Sequence, residues 1–297
     1  MKNAKLILTH VGNKVPDYVH YSLQHLRLHN QETVIYFIAD ESLQDDRFFK
    51  TCSNYNIISI DSNKYKNDPL IVELNSVAWL PHECGGAPGT AYPSQPQFWH
   101  LTMERIYYLY CFAEDYDIDD FYHIENDNVV FYNFNEADRY TSNKITCLKR
   151  TSWDATNTLF SFVHVPTHKA LFGICRTINN IMCNGKEYVY SRYKVPYIAH
   201  EMMFLEEYRK MGRLRLFPTL PSSDYTFDAV DIAHYLFGGN NFQLPGYCDE
   251  HNDVGVAISN NVIKPILIDK TPYLESSNGL HKVFNLHMHR KNIEDLL

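Results

Sequence analysis

The sequence predicts an α/β fold, a single domain over 1–297 with a central, mostly parallel sheet flanked by helices. Two observations predict it. Short apolar, β-branched runs alternate with helix-period segments through the N-terminal part of the chain. Strand–helix–strand units of that spacing pair in parallel through right-handed crossovers. Hydrophobic residues make up 45 % of the 297, ample for a packed core, and neither an internal repeat nor a Gly- or Pro-rich break divides off a second domain.

The elements follow in order. Residues 5–10 (KLILTH) read as a buried strand. A helix follows over 17–30, with Asp17 as N-cap and Val19, Leu23, Leu26 and Leu28 on its apolar side. Residues 33–39 (TVIYFIA) are a second strand, 42–54 a helix, and 56–60 (NIISI) a third strand ending at Asp61. In such sheets ligands bind beyond the carboxyl ends of the strands, which places Thr9, His10, Asp40 and Asp61 on a ligand rim. Polar residues there also serve as simple caps. Residues 80–97 cluster Gly and Pro as a mobile loop whose spacing fits neither dinucleotide nor phosphate-loop signatures. A long helix is expected over 97–116.

Charge and composition exclude several classes. A net charge of -8 without a basic run argues against nucleic-acid binding. No stretch approaches the roughly 20 apolar residues of a membrane span, and residues 1–10 lack the apolar region of a secretion signal. The seven cysteines are scattered without a CxxC, and no N-x-[ST] sequon occurs. Free thiols and a cytoplasmic location are the expectation.

The chemistry concentrates in two places. In residues 121–131 (FYHIENDNVVF) an apolar run stops at Glu125-Asn126-Asp127-Asn128 and then resumes. Buried carboxylates must be paired or neutral. If extended geometry persists, Glu125 and Asp127 share a side and suit a hard divalent cation. A tight polar turn explains the same residues equally well. The second place is 285–292 (NLHMHRKN), where His287 and His289 share a side of an extended segment and Arg290 and Lys291 follow. Imidazole can complete the coordination of Mn²⁺, and the cations can neutralise phosphate. The plain alternative is a basic tail with solvated histidines.

Together these features resemble the GT-A class of nucleotide-sugar-dependent glycosyltransferases, in particular family 8-like and bacterial or viral branches with END in place of the acidic DxD motif. The resemblance lies in element order over most of the chain, and is strongest at 125–127, 226–239 (TFDAVDIAHYLFGG) and 285–292. It implies a GT-A fold whose 1–131 half binds nucleotide and whose 132–297 half binds acceptor and carries a C-terminal metal and phosphate segment. It implies Mn²⁺ or Mg²⁺ on Asp127 with His287 or His289, and a nucleoside-diphosphate sugar donor, UDP-linked, with a hydroxyl acceptor on a glycan or protein. Glu125 departs from the motif by one methylene, so direct metal binding passes to Asp127 first, while Glu125 and Asn126 face the nucleotide.

By the same resemblance Thr9, His10 and Asp40 hold base and ribose, Arg105 faces nucleotide or sugar, and Lys291 adds charge at the phosphates. Glu201, in the first turn of a helix over 199–208, is the leading catalytic carboxylate, with Asp228 behind it. A carboxylate in a first helical turn is also favoured by the helix dipole alone. The 80–97 loop closes over the ligands, and Trp79 beside it is the aromatic candidate for stacking on the acceptor. Two other classes compete: a sugar nucleotidyltransferase, which would need more Gly and Arg or Lys after the first strand than residues 10–16 offer, and a non-catalytic carbohydrate-binding or structural protein.

Overall fold

The computed structural model describes residues 4–12, 14–43, 45–77, 98–149, 158–193, 200–221, 224–238, 253–288 and 293–296. Its central sheet has seven strands: β1 (Lys5–Thr9), β2 (Val34–Ala39), β3 (Ile57–Asp61), β4 (Phe121–Ile124), β6 (Ile145–Lys149), β7 (Thr158–Val165) and β8 (Leu214–Leu216). They lie in the order β3-β2-β1-β4-β7-β6-β8. β1 pairs in parallel with β2 and β4, and β2 with β3; β7 runs antiparallel to both its neighbours. The expected mixed α/β architecture with a mostly parallel central sheet is what the chain forms.

Helices cover both faces. They are α1 (Asp17–His29), α2 (Asp46–Asn54), α3 (Pro69–Asn75), α4 (Phe98–Asp115), α5 (His168–Met182), α6 (Lys186–Tyr193), α7 (Glu201–Lys210), α8 (Asp231–Phe237) and α9 (Asp253–Ser259). Alternation along β1 explains the two cores: Ile7 packs with α4, α5 and α7, whereas Leu6 and Leu8 pack with α1 and α2. Burial of this kind is worth about 25 cal/mol per Å² of apolar surface removed from water, and it is the main force holding the layers. Close packing of α5 on α7 depends on Gly173, where an added Cβ would stand 2.5 Å from the Tyr208 hydroxyl.

Two smaller sheets complete the fold. β9 (Tyr225–Thr226) and the meander β10 (Ile263–Ile268), β11 (Thr271–Ser276) and β12 (Gly279–Val283) form a four-stranded sheet, with β12 beside β9. β5 (Asn128–Val130) pairs antiparallel with β13 (Asn285–His287). The apolar segment 121–131 is therefore two strands in two sheets. The expected helix over 42–54 also divides, into a 3-10 turn at Glu41–Leu43 and α2, because Asp45 caps α2 by accepting from the Phe48 amide at 2.8 Å. Among the described residues, no helix is long and apolar enough to cross a membrane.

Candidate functional site

β4 ends at Ile124, and the chain turns. The Asn128 amide donates to the Glu125 carbonyl at 3.0 Å, while the Glu125 amide donates to the Ser161 carbonyl on β7 at 2.9 Å. Extended geometry does not persist through 125–128; the local hydrogen bonding of Asn and Asp wins, and the polar turn is what forms. The turn still gathers the carboxylates, because β13 lies beside it. His287 stands opposite Asn128 in the ladder, and the Met288 amide donates to the Asp127 carbonyl at 2.8 Å. The turn thus brings together Glu125, Asp127 and His287, three of the residues the metal-ligand reading singled out.

Glu125, Asp127 and His287 each offer a ligand atom, all within 4.8 Å of one another. His287 Nε2 lies 3.0 Å from Glu125 Oε2 and 3.5 Å from Asp127 Oδ1. Burial pulls the imidazole's pKa down, but Asp127 and Glu125 outweigh it and raise it to about 10. An imidazolium thus balances the carboxylates where a divalent cation would sit. Carboxylate oxygens with one imidazole at this spacing would suit Mn²⁺ or Mg²⁺, and holding such an ion would require the imidazole to give up its proton.

Behind the cluster sits Arg105, a buried side chain and not a surface ion pair. Its Nη1 donates to Glu125 Oε1, and its Nη2 lies 3.9 Å from Glu201 Oε1. Burial would raise the Glu125 pKa, yet Arg105 and then His287 reverse this and hold it well below the usual carboxylate range. Thr102, one turn before Arg105 on α4, donates its hydroxyl to Glu201 Oε2 at 2.7 Å. Glu201 opens α7 and is raised by burial, with Arg105 and Thr102 opposing. The structure brings Glu125, Asp127, His287, Arg105 and Glu201 into one connected group.

Asp228 takes a different place. It is 1 % exposed, and its carboxylate accepts from the amides of Val230, Ile232, Ala233 and His287 at 2.8, 2.9, 3.0 and 3.1 Å. Burial raises its pKa against these four bonds. Its carboxylate thus binds amides at the start of α8 and in β13.

The strand-end residues divide too. His10 joins the turn, its Nδ1 3.2 Å from Asn126 Nδ2, while its Nε2 lies 2.7 Å from the Lys14 carbonyl. Burial lowers its pKa. Thr9 is buried, and its hydroxyl has no hydrogen-bond partner among the described residues. Asp40 sits at the end of β2, separated from β4 by β1, in a local network. Lys66 Nζ lies 2.8 Å from its Oδ2, and Ser42 and Asn63 donate to its Oδ1. Lys66 first, then Ser42 and Asn63, hold its pKa well below the carboxylate range. Asp61 accepts from Glu41 and Asn63 in the same network. His289, Lys291, Trp79 and the 80–97 loop lie outside the described residues.

Sequence reasoning missed three contributors. Tyr18, in the first turn of α1, has its phenol raised by burial and then by the charges of Asp127 and Glu125. Thr102 had no signal beyond its three-residue spacing from Arg105. Asn285 had one, since it alternates with His287 in an extended segment.

No family model matches the sequence, and no curated protein matches it. Solved structures with a similar fold include mouse xyloside xylosyltransferase 1 in its apo form (TM-score 0.46, 10 % identity, 73 % of this chain and 86 % of that one). They also include the galactosyltransferase LgtC in complex with donor and acceptor sugar analogues (TM-score 0.42, 9 % identity, 82 % of each chain). A third is a cytidylyltransferase from Leptospira borgpetersenii (TM-score 0.36, 11 % identity, 73 % of this chain and 76 % of that one). These are low scores at low identity.

Proposed function

We propose that the chain is a metal-dependent glycosyltransferase that moves a sugar from a nucleoside-diphosphate sugar, UDP-linked, to a hydroxyl on a glycan or protein. The observation that carries this reading is the Glu125–Asp127–His287 cluster, built on the turn at the carboxyl end of a parallel strand, where α/β sheets bind ligands. Asp127 and His287, with Glu125 beside them, would hold Mn²⁺ or Mg²⁺. The bound ion supplies positive charge against the diphosphate leaving group. His289, as a further metal ligand, and Lys291, as charge at the phosphates, are part of the proposal on their place in the sequence alone.

The remaining roles belong to the same proposal. Thr9, His10 and Asn126 form the nucleotide side with Asp40 at its margin, so that 1–131 is the nucleotide half and 132–297 the acceptor half. Arg105 keeps Glu125 and Glu201 ionised and apart. Glu201, its pKa raised by burial, takes the proton of the acceptor hydroxyl as that oxygen bonds to the anomeric carbon and the bond to diphosphate breaks.

The test is release of nucleoside diphosphate from a panel of nucleotide sugars. The expected result is Mn²⁺-dependent release from one donor, abolished by EDTA and by Asp127→Ala. Glu201→Gln should lower transfer to a hydroxyl acceptor by about 100-fold or more. No release from any donor would favour the non-catalytic carbohydrate-binding reading. Consumption of a nucleoside triphosphate with a sugar phosphate would favour the nucleotidyltransferase.

A further inference from the structure

The cluster's one ligand from the C-terminal part of the chain, His287, sits 160 residues beyond Asp127, so something must fix its register. Around it lies a chain of buried polar side chains. Asn128 Nδ2 donates to the Ser161 carbonyl at 2.9 Å, and its Oδ1 accepts from Asn285 Nδ2 at 2.6 Å. Asn285 Nδ2 also reaches the Asp228 carbonyl at 3.1 Å, while its Oδ1 accepts the Asp228 amide at 3.2 Å. Asp228 Oδ2 then takes the His287 amide. Asn128, Asn285 and Asp228 are 0–1 % exposed, and a fully satisfied polar network in such surroundings specifies one arrangement. Next to it Val230 holds φ 127, a conformation a β-branched residue adopts only when its surroundings impose it.

We propose that Asp228 and Asn285 are positioning residues for the candidate cation site: they lock β13 against the 125–128 turn so that the His287 imidazole faces Glu125 and Asp127. The purpose assigned to the lock rests on the metal reading above; the lock itself rests on the hydrogen bonds. Neither residue touches a reacting atom. Each acts through the backbone or the ladder partner of a ligand, and changes at that remove typically weaken metal sites by about 10- to 100-fold. The network also ties the site to the four-stranded sheet, because Asp228 lies two residues beyond the end of β9 and Asn285 two beyond the end of β12.

The experiment uses the full chain as wild type, Asp228→Asn, Asn285→Ala and Gly173→Ala. The last is a destabilised control whose clash lies between α5 and α7, away from the cluster. Free Mn²⁺ is counted by electron paramagnetic resonance, and amide exchange is followed without metal. Asp228→Asn and Asn285→Ala should weaken Mn²⁺ binding by about 10-fold or more and speed exchange at 285–288 and 128–130 while leaving β1 and β2 protected. Gly173→Ala should lower Tm with Mn²⁺ affinity unchanged. Affinity that tracks Tm alike in all three variants would overturn the proposal, as would unaltered exchange at 285–288. A wild type that binds no Mn²⁺ would overturn the cation site and the purpose of the lock, and the exchange pattern would still decide the lock itself.

Discussion

Arg105 shows how finely the site is balanced at the level of single residues. Its guanidinium is 10 % exposed and faces Glu125 and Glu201, themselves 19 % and 6 % exposed. Arg105→Ala would leave the buried Glu201 without its cation and Glu125 with His287 alone, and breaking such a group costs about 3–5 kcal/mol. Urea unfolding should report a loss of that size; a loss under about 1 kcal/mol would mean the carboxylates find other partners. Residue type made Glu125, Asp127 and His287 legible as candidates, while a polar turn and a basic tail with solvated histidines accounted for the same residues. Asp228 was legible as a carboxylate but not by role. Its partners are backbone amides, and they converge only through the turn around Val230, which no residue pattern announces.

At the scale of elements, the first three strands and α1 were readable because apolar alternation and local turn residues determine them. The polar break at 125–128 was readable too, but not that the two halves of 121–131 join different sheets. That follows from the pairing of 128–130 with 285–287, a contact remote in sequence. The meander β10–β12 escaped for another reason. β10 (IKPILI) carries Pro265 and shows no clean alternation, since it is an edge strand with Leu267 and Ile268 about 40 % exposed. Glu201 was placed correctly in a first helical turn, yet α7 ends at Lys210 and not at Tyr208, the ordinary uncertainty of a helix end.

On the scale of the whole molecule, the candidate site lies where three sheets meet: β4 of the large sheet, the β5–β13 pair, and the turn that follows β9. Buried histidines make the metal-free fold sensitive to pH in both directions. Burial lowers His123 from 6.5 to about 3 and His25 from 6.5 to about 4. The unfolded chain therefore takes up protons below pH 6.5 that the folded chain refuses, and stability falls from there toward pH 4. His287 has the opposite sign. Raised to about 10, it contributes stability that is full below 6.5 and is lost as pH climbs to about 10. Urea unfolding of the metal-free protein should show greatest stability near neutrality, with the decline that begins at pH 6.5 removed in His287→Gln until the range where the unfolded forms of the buried thiols ionise; a decline intact below the thiol range in that variant would place its cause elsewhere.

The central claim is that this junction binds a nucleoside diphosphate through a divalent cation. Thermal shift with UDP, GDP, CDP and ADP, each with and without Mn²⁺, tests it most directly. A ligand at 100 times its Kd stabilises by about 2.7 kcal/mol, readily seen. The account predicts a shift with one diphosphate, UDP, that requires Mn²⁺ and vanishes in Asp127→Ala. No shift with any of the four, with or without the metal, would contradict it.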